Sequence, residues 1–400
     1  MMKAPCTPSQ AEKLILALQP AGRIEECPLG EVAGRVLRAD IKADHDFPPF
    51  DRVTMDGVAV RFAEVGETHG EFRIVGRAAA GQPGAFLPSG RGSAVQVMTG
   101  AVLPEGSDCI LPREWYEERD GKAILRPGVE VKPGVFIHRR GSDHRAGETL
   151  LRAGRRLGPV EVAIAAACGQ SKVRVAAPFR IAVVATGDEL VPVDGVPREG
   201  QIRRTNPDAL AAALRLSGHA PAELTVLRDD RAGMRDGLAG ILARHEMVVL
   251  TGGVSQGDLD FVPEVLADLG ARLVLHGVKQ RPGRPMGVWQ MPAGTVVFGL
   301  PGNPVSALVC LRRYVLPALV HWGGGTPRRV SRHVLSGEFP RPPGLTLFLP
   351  VLEAGDGSLK PSPVANSGDF AGLAGTCGFV EIDESFAEGS DASYYSWSPS

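Results

Sequence analysis

The feature that most constrains this chain is a regular alternation, starting near Phe179 and running to about residue 320, of short apolar stretches with amphipathic segments of helical length. Residues 180–185, 224–227, 247–250, 273–276 and 295–298 read as strands, and helical patterns fill 207–216, 231–244, 260–269 and 305–320 between them. Asn206 is placed to cap the first helix, Pro207 to start it and Gly218 to close it. Strands apolar on both faces and separated by helices imply a mostly parallel sheet covered on both sides, a three-layer α/β domain at 177–326.

The rest of the chain has a different texture. Thr7, Pro8 and Gln10 form a capping box ahead of an apolar face made by Ala11, Leu14, Ile15 and Leu18. From about 45 to 141 short β-type runs such as 72–75 and 94–98 are broken by Gly and Pro, which predicts a β-rich inserted domain. Gly158 and Pro159 open a short helix that ends before Gly169. Segments 1–44 and 142–176 then make an elongated linking domain, and the β runs of 327–400 a small C-terminal barrel. The expected class is multidomain α/β plus β.

Composition removes several functions. With 400 residues, 44% of them apolar and 22% charged, the chain can bury more than one core. A net charge of −1 and only 6% aromatic residues argue against a general nucleic-acid binder. The six cysteines stand singly, without a Cys-x-x-Cys pair, and read as reduced thiols; Cys310, inside an apolar helix, reads as a core group. With no apolar leader and no run near 18 apolar residues, a soluble, cytoplasmic protein is expected.

In an open parallel sheet, ligands gather outside the carboxyl ends of the strands. Here those ends carry Thr186-Gly187-Asp188-Glu189, Asp229-Asp230, the turn from Thr251 through Gly252, Gly253, Ser255, Gly257 and Asp258 to Asp260, and Leu300-Pro301-Gly302-Asn303-Pro304. A glycine-rich turn entering a helix is how backbone N–H groups cradle a phosphate, although a tight turn needing positive φ reads the same way. Its spacing fits neither a Walker A loop nor a dinucleotide fingerprint. The acids Asp188, Glu189, Asp229, Asp230 and Asp260 offer hard oxygens suited to Mg²⁺ beside a phosphate, and each taken singly also reads as a helix cap. Lys279, Arg281 and Arg284, in a proline-stiffened run, offer cations to an oxyanion or form an exposed basic loop. No Ser-His-Asp or Cys-His arrangement supports covalent catalysis.

Seven stretches occur in an order that resembles the molybdopterin molybdenumtransferases, the MoeA and gephyrin E-domain family. They are Thr54-Met55-Asp56-Gly57, the run from Met98 to Gly106, Arg139-Arg140-Gly141-Ser142-Asp143, Ala185-Thr186-Gly187-Asp188-Glu189-Leu190, the Gly252 to Asp260 loop, Pro282-Gly283-Arg284-Pro285, and Leu300-Pro301-Gly302-Asn303-Pro304-Val305-Ser306. The resemblance implies a MogA-like molybdopterin-binding α/β domain and a homodimer supplied by a molybdopterin adenylyltransferase. The implied reaction uses adenylylated molybdopterin and molybdate, with Mg²⁺ assisting release of AMP. By position it implies catalytic roles for Asp56, Thr99, Asp143, Glu189, Asp229 or Asp230, and Asp260, the first three facing a partner subunit. Asp188, Glu189 and Asp260 become the expected metal ligands. Thr186, Gly187, Gly252, Gly253, Ser255, Gly257, Pro301, Gly302 and Pro304 would hold the pterin part, and Lys279, Arg281, Arg284 and Ser306 the oxyanion. Arg341 and Ser367 are further candidates in the C-terminal part. The chain departs from the family's pattern at Val58, Arg204 and Arg284. A molybdopterin-binding scaffold without catalysis, and a phosphoanhydride hydrolase acting on another nucleotide, are the rival readings.

Overall fold

A computed structural model describes residues 4–20, 22–254, 260–327, 330–362, 364, 366–387 and 389–398. They form two compact units, one built from Met1–Ala39, Ala153–Val162 and Ser171–Ser400, the other from Asp40–Arg152 and Ala163–Gln170. The linking segment contributes to both. Its ladder of Ile24–Pro28 with Lys172–Ala176 belongs to the first unit, and that of Ile41–Lys42 with Thr149–Leu151 to the second.

The first unit is organised on a six-stranded sheet whose strands are β1 (Ile181–Thr186), β2 (Glu223–Leu227), β3 (Met247–Thr251), β4 (Arg272–His276), β5 (Gly287–Gln290) and β6 (Val296–Leu300). Their spatial order is β2-β1-β3-β6-β5-β4. β1 runs parallel to β2 and β3, and β3 parallel to β6, while β5 is antiparallel to both β6 and β4. Two reversals restore the direction, so β4 ends at the same edge as β1, β2, β3 and β6. β5 is not among the strands expected from periodicity. Its four residues, Gly-Val-Trp-Gln, carry no alternation of their own and become a strand through pairing on both sides.

Side chains leave this sheet with a period of two, and the two faces have separate cores. Ile181, Val183, Met247, Val249, Val296 and Phe298 pack with Leu210 and Leu214 of α1 (Asn206–Leu216). Ala182, Val184, Val248, Leu250 and Val297 pack with Met234, Leu238 and Ile241 of α2 (Arg231–Arg244) and Val262, Val265 and Leu266 of α3 (Val262–Asp268). Each such Val, Leu or Ile contributes roughly 1.5–3 kcal/mol by leaving water. The N-terminal helix Pro8–Leu16, started by the expected capping box of Thr7 and Gln10, lies on the first face through Ala11 and Ile15.

The helix expected at 305–320 is three pieces. α4 (Pro304–Cys310) passes into a π-helical stretch, Leu311–Val315, and then into α5 (Leu316–Trp322). Pro317, in the first turn of α5, has no N–H to give the carbonyl of Arg313 and its ring would crowd that carbonyl; widening the turn relieves both.

The C-terminal part is a six-stranded sheet. Its path runs from Gln280–Arg281 through Thr346–Glu353, Gly378–Ile382 and Asp391–Ser396 to Ser331–Val334, with Leu359–Pro361 beside Thr346–Glu353. Its first strand comes from the basic loop of the α/β domain. A buried guanidinium ties the pieces together: Arg313 bonds Glu381 of this sheet at 2.8 Å and Glu12 of the N-terminal helix at 3.1 Å.

The second unit has its own six-stranded sheet, ordered Cys109–Pro112, Gly57–Val60, Ser93–Val97, Glu71–Ala78, Lys122–Leu125 and Tyr116–Arg119. It buries Ala59, Val95 and Ile110 on one face and Val58, Phe72 and Leu111 on the other. Val58 is fully buried, so this departure from the family pattern is a core substitution.

Candidate functional site

The order of the main sheet places its switch point between β1 and β3: the chain leaves β1 for β2 on one side and returns to β3 on the other. The two turns at this point touch. Gly252 and Gly253 have φ of +89° and +65°, and a Cβ at Gly252 would lie 2.7 Å from the Thr186 carbonyl oxygen and 2.9 Å from its hydroxyl. Glycine is required by both conformation and room. The Thr186 hydroxyl is buried and has no hydrogen-bond partner among the described residues, so the base of the crevice holds an unsatisfied polar atom. The loop positions Ser255, Gly257 and Asp258 lie outside the described residues.

Carboxylates gather beside these turns. Asp188, at the end of β1, accepts a hydrogen bond from the Asp229 backbone N–H at 3.4 Å and faces Arg228 at 3.6 Å. The Glu189 carboxylate folds back over Gly187, where a Cβ would lie 2.5 Å from it. Burial pushes the Asp229 carboxyl above the ordinary aspartate range. A backbone hydrogen bond at Asp188 opposes this, and the charges of Asp188, Glu189 and Asp260 reinforce it. Asp229 and Asp230, equivalent in the sequence, separate here. The Asp230 carboxylate caps α2 by accepting from the Gly233 N–H at 2.8 Å, whereas Asp229 belongs to the acidic group. Among the described residues no three His, Cys, Asp or Glu side chains converge into a metal cage.

The cations emerge from the same sheet edge. Lys279, Arg281 and Arg284 lie between β4 and β5 and are exposed, and none has an ion-pair partner among the described residues. Four strand spacings of about 4.8 Å separate β1 from β4, so the acidic and basic ends of the edge lie roughly 19 Å apart. The basic loop is fixed from inside the protein. Gln280 is fully buried; its Oε1 accepts from the Tyr314 hydroxyl at 2.5 Å, and its Nε2 donates to the Pro282 carbonyl at 3.1 Å and to the Cys310 sulfur at 3.4 Å. Gly283 has φ of +93°, and a Cβ there would lie 2.6 Å from both Cys310 Sγ and Gln280 Nε2. Cys310 is the expected core thiol, pushed up to about 12 by burial, and it also floors this turn. The strand-like contact of Cys6 with Val278 braces the loop from the other side, the Lys279 N–H donating to the Cys6 carbonyl at 2.8 Å.

Between the two ends lies the turn Leu300–Pro304. Asn206 was expected to cap α1. Thr205 takes the capping position instead, and the Asn206 amide donates to the Gly302 carbonyl at 2.6 Å. Pro301 and Pro304 bracket this turn, Asn303 Nδ2 donates to Ser367 Oγ at 2.8 Å, and Ser306 is buried in the first turn of α4. Ser367 thus stands at the turn. Arg341 has a local role, donating to the Phe386 carbonyl and lying over the Phe339 and Phe386 rings. Arg204 pairs with Asp208 at 3.6 Å.

In the second unit, Asp56 and Thr99 are together, the Asp56 carboxylate accepting from the Thr99 N–H at 2.6 Å and its hydroxyl at 2.7 Å; these bonds hold its pKa below the usual value. Asp143 has a different partner, His138, at 2.8 Å. The sequence reading missed Gln280, Asn206 and His138 as site-building residues.

A doubly covered α/β sheet with glycine turns at its switch point, acids at one part of the edge and, at another, cations without an ion-pair partner among the described residues is the kind of edge at which α/β proteins take anionic, phosphorylated ligands. Comparison with known proteins narrows the class. The MoeA N-terminal region (domain I and II) matches residues 6–169, and a probable molybdopterin binding domain matches 182–321. The molybdopterin molybdenumtransferase of Synechocystis sp. is 37% identical over 91% of this chain and 93% of its own length, and that of Bacillus subtilis 30% identical over 94% and 90%. A crystal structure of the molybdopterin biosynthesis moeA protein from Pyrococcus horikoshii superposes with a TM-score of 0.83 at 28% identity, covering 98% of this chain and all of that one. The chain belongs to the molybdopterin molybdenumtransferase family, transferases of molybdenum cofactor biosynthesis.

Proposed function

We propose that this protein inserts molybdenum: adenylylated molybdopterin and molybdate are converted to molybdenum cofactor and AMP. The observation that carries this reading is the sharing of one sheet edge by glycine turns, an acidic group and a rigidly based set of cations that have no ion-pair partner among the described residues. The glycine turns and the unsatisfied Thr186 hydroxyl hold the phosphorylated pterin at the switch point. Lys279, Arg281 and Arg284 receive the oxyanion without a large ordering cost, because Gln280 has already fixed their backbone. Arg284 presents a planar fork to it. No nucleophilic side chain is needed, since positioning and neutralisation of developing charge suffice.

The donor set fits Mg²⁺. It is all hard oxygen, burial reinforced by the neighbouring charges pushes Asp229 upward, and Mg²⁺ commonly takes one or two protein carboxylates with phosphate and water completing its shell. One or two of Asp188, Glu189, Asp229 and Asp260 would hold it, and when bound it supplies charge neutralisation at the phosphoanhydride. We further propose a cytoplasmic homodimer fed by a molybdopterin adenylyltransferase, with Asp56, Thr99 and Asp143 serving the same reaction.

Incubating the full chain with adenylylated molybdopterin, Mg²⁺ and molybdate is expected to release AMP and yield active cofactor, and chelation of Mg²⁺ to stop both. Tight pterin binding without AMP would select a scaffold instead. Fast AMP release indifferent to molybdate would select a hydrolase.

A further inference from the structure

The Asp143 carboxylate sits at the end of a short relay in the second unit. Strand Arg52–Val53 pairs antiparallel with Ile137–His138 so that Arg52 and His138 stand directly opposite each other. Arg52 Nη2 lies 3.1 Å from His138 Nδ1, and His138 Nε2 lies 2.8 Å from Asp143 Oδ1. The nearby cations are engaged elsewhere: Arg139 bonds Asp51 at 2.6 Å and Arg140 bonds Asp46 at 2.9 Å. Among the described residues the other side-chain hydrogen-bond contact to Asp143 is the Ser142 hydroxyl at 3.5 Å, at the limit of a hydrogen bond.

The two ends of the relay select one arrangement of its centre. A guanidinium has only donors, so the Arg52 contact is a hydrogen bond when Nδ1 of His138 accepts and carries no hydrogen. The ring hydrogen is then on Nε2, where it donates to a carboxylate that only accepts. Every link runs donor to acceptor from Arg52 through His138 to Asp143, and the ring is held at both nitrogens.

We propose that His138 is a positioning residue for Asp143, with Arg52 selecting the Nε2–H tautomer that makes it one. The proposal rests on the reading of Asp143 as a residue of the molybdenum-inserting site. The turn that carries this exposed carboxylate is itself anchored through backbone bonds, Asp143 N–H to Phe47 O at 3.0 Å and Gly141 N–H to Pro48 O at 3.0 Å, which leaves the side chain to be oriented by His138.

The test begins on the unmodified full chain, labelled with ¹⁵N at histidine. The His138 ring, assigned by the resonance missing in His138→Gln, is expected to show a protonated Nε2 and an unprotonated Nδ1, and Arg52→Leu to abolish that preference. In AMP release, His138→Leu is expected to lose about tenfold in kcat with little change in KM. His138→Gln, whose amide N–H reaches nearly as far as Nε2–H, is expected to restore most of it. A hydrogen on Nδ1 in the unmodified chain would overturn the proposal. So would an unchanged kcat in His138→Leu while Asp143→Asn is inactive. Full activity in Asp143→Asn would instead overturn the functional reading of Asp143 and leave His138 nothing to position.

Discussion

At a single sheet edge the molecule holds two charged groups by opposite means. The acidic end keeps Asp188 and Glu189 in exposed turns, braced mainly by neighbouring backbone, and their charges bear on Asp229. The basic end keeps its side chains free but locks its backbone through the buried Gln280, Tyr314, Cys310 and Gly283. One end is short of positive charge and can adapt; the other is rigid and short of negative charge. A site that must accept a small hydrated cation and a large planar-faced ligand with an oxyanion benefits from both. The first partner brings its own shell of waters, and the second has to be met by fixed directions.

Substitutions at each end sharpen that contrast. Asp229→Asn should lower kcat/KM for AMP release at least 100-fold, as removal of a key electrostatic group does, while its urea midpoint stays level or rises. A falling midpoint would mean that Asp229 is part of the scaffold. Gln280→Leu should raise the molybdate concentration needed by about tenfold and lower stability by about 1–3 kcal/mol, because the Tyr314 hydroxyl loses its buried acceptor. Equal losses for pterin and molybdate would remove the distinction between the two ends. Asn206→Ala, which frees the Gly302 carbonyl, should cost about 1 kcal/mol in denaturant unfolding and reduce affinity for pterin only modestly.

The smallest effect is in pH dependence. Because the Asp229 pKa is raised in the folded protein, its charged form disfavours folding. Stability of the unmodified chain relative to Asp229→Asn should be greatest below the unfolded aspartate value and decline as pH rises through the folded one. Parallel curves would show that neither burial nor the neighbouring carboxylates raise the Asp229 pKa in the folded protein.

The α/β domain was legible because strands buried on both faces leave continuous apolar runs, as at Ile181–Thr186 and Met247–Thr251, and because chemistry collects at their ends. Asp229 could not be told from Asp230 by spacing; only the bond from Gly233 assigns one of them to the helix. Gln280 stayed hidden for a related reason. In the run Lys279-Gln280-Arg281 nothing local distinguishes a buried amide from exposed neighbours, since its partners Tyr314 and Cys310 lie thirty or more residues away. Likewise a histidine in an exposed-looking Ile-His-Arg-Arg run acquires meaning only from Arg52 across a two-residue ladder. Local pattern identifies elements and turn chemistry; it does not report long-range pairing of polar side chains.

The π-helical stretch at Leu311–Val315 acts as a switchboard of angular phase. Adjacent residues on it address different parts of the protein, Arg313 reaching Glu12 and Glu381 while Tyr314 reaches Gln280. Removing Arg312 would close the wide turn to α spacing and re-aim the residues within it, so that Arg313 and Tyr314 lose both connections at once. The direction in which the cationic loop faces is thus inherited from the setting of one helical turn buried behind it.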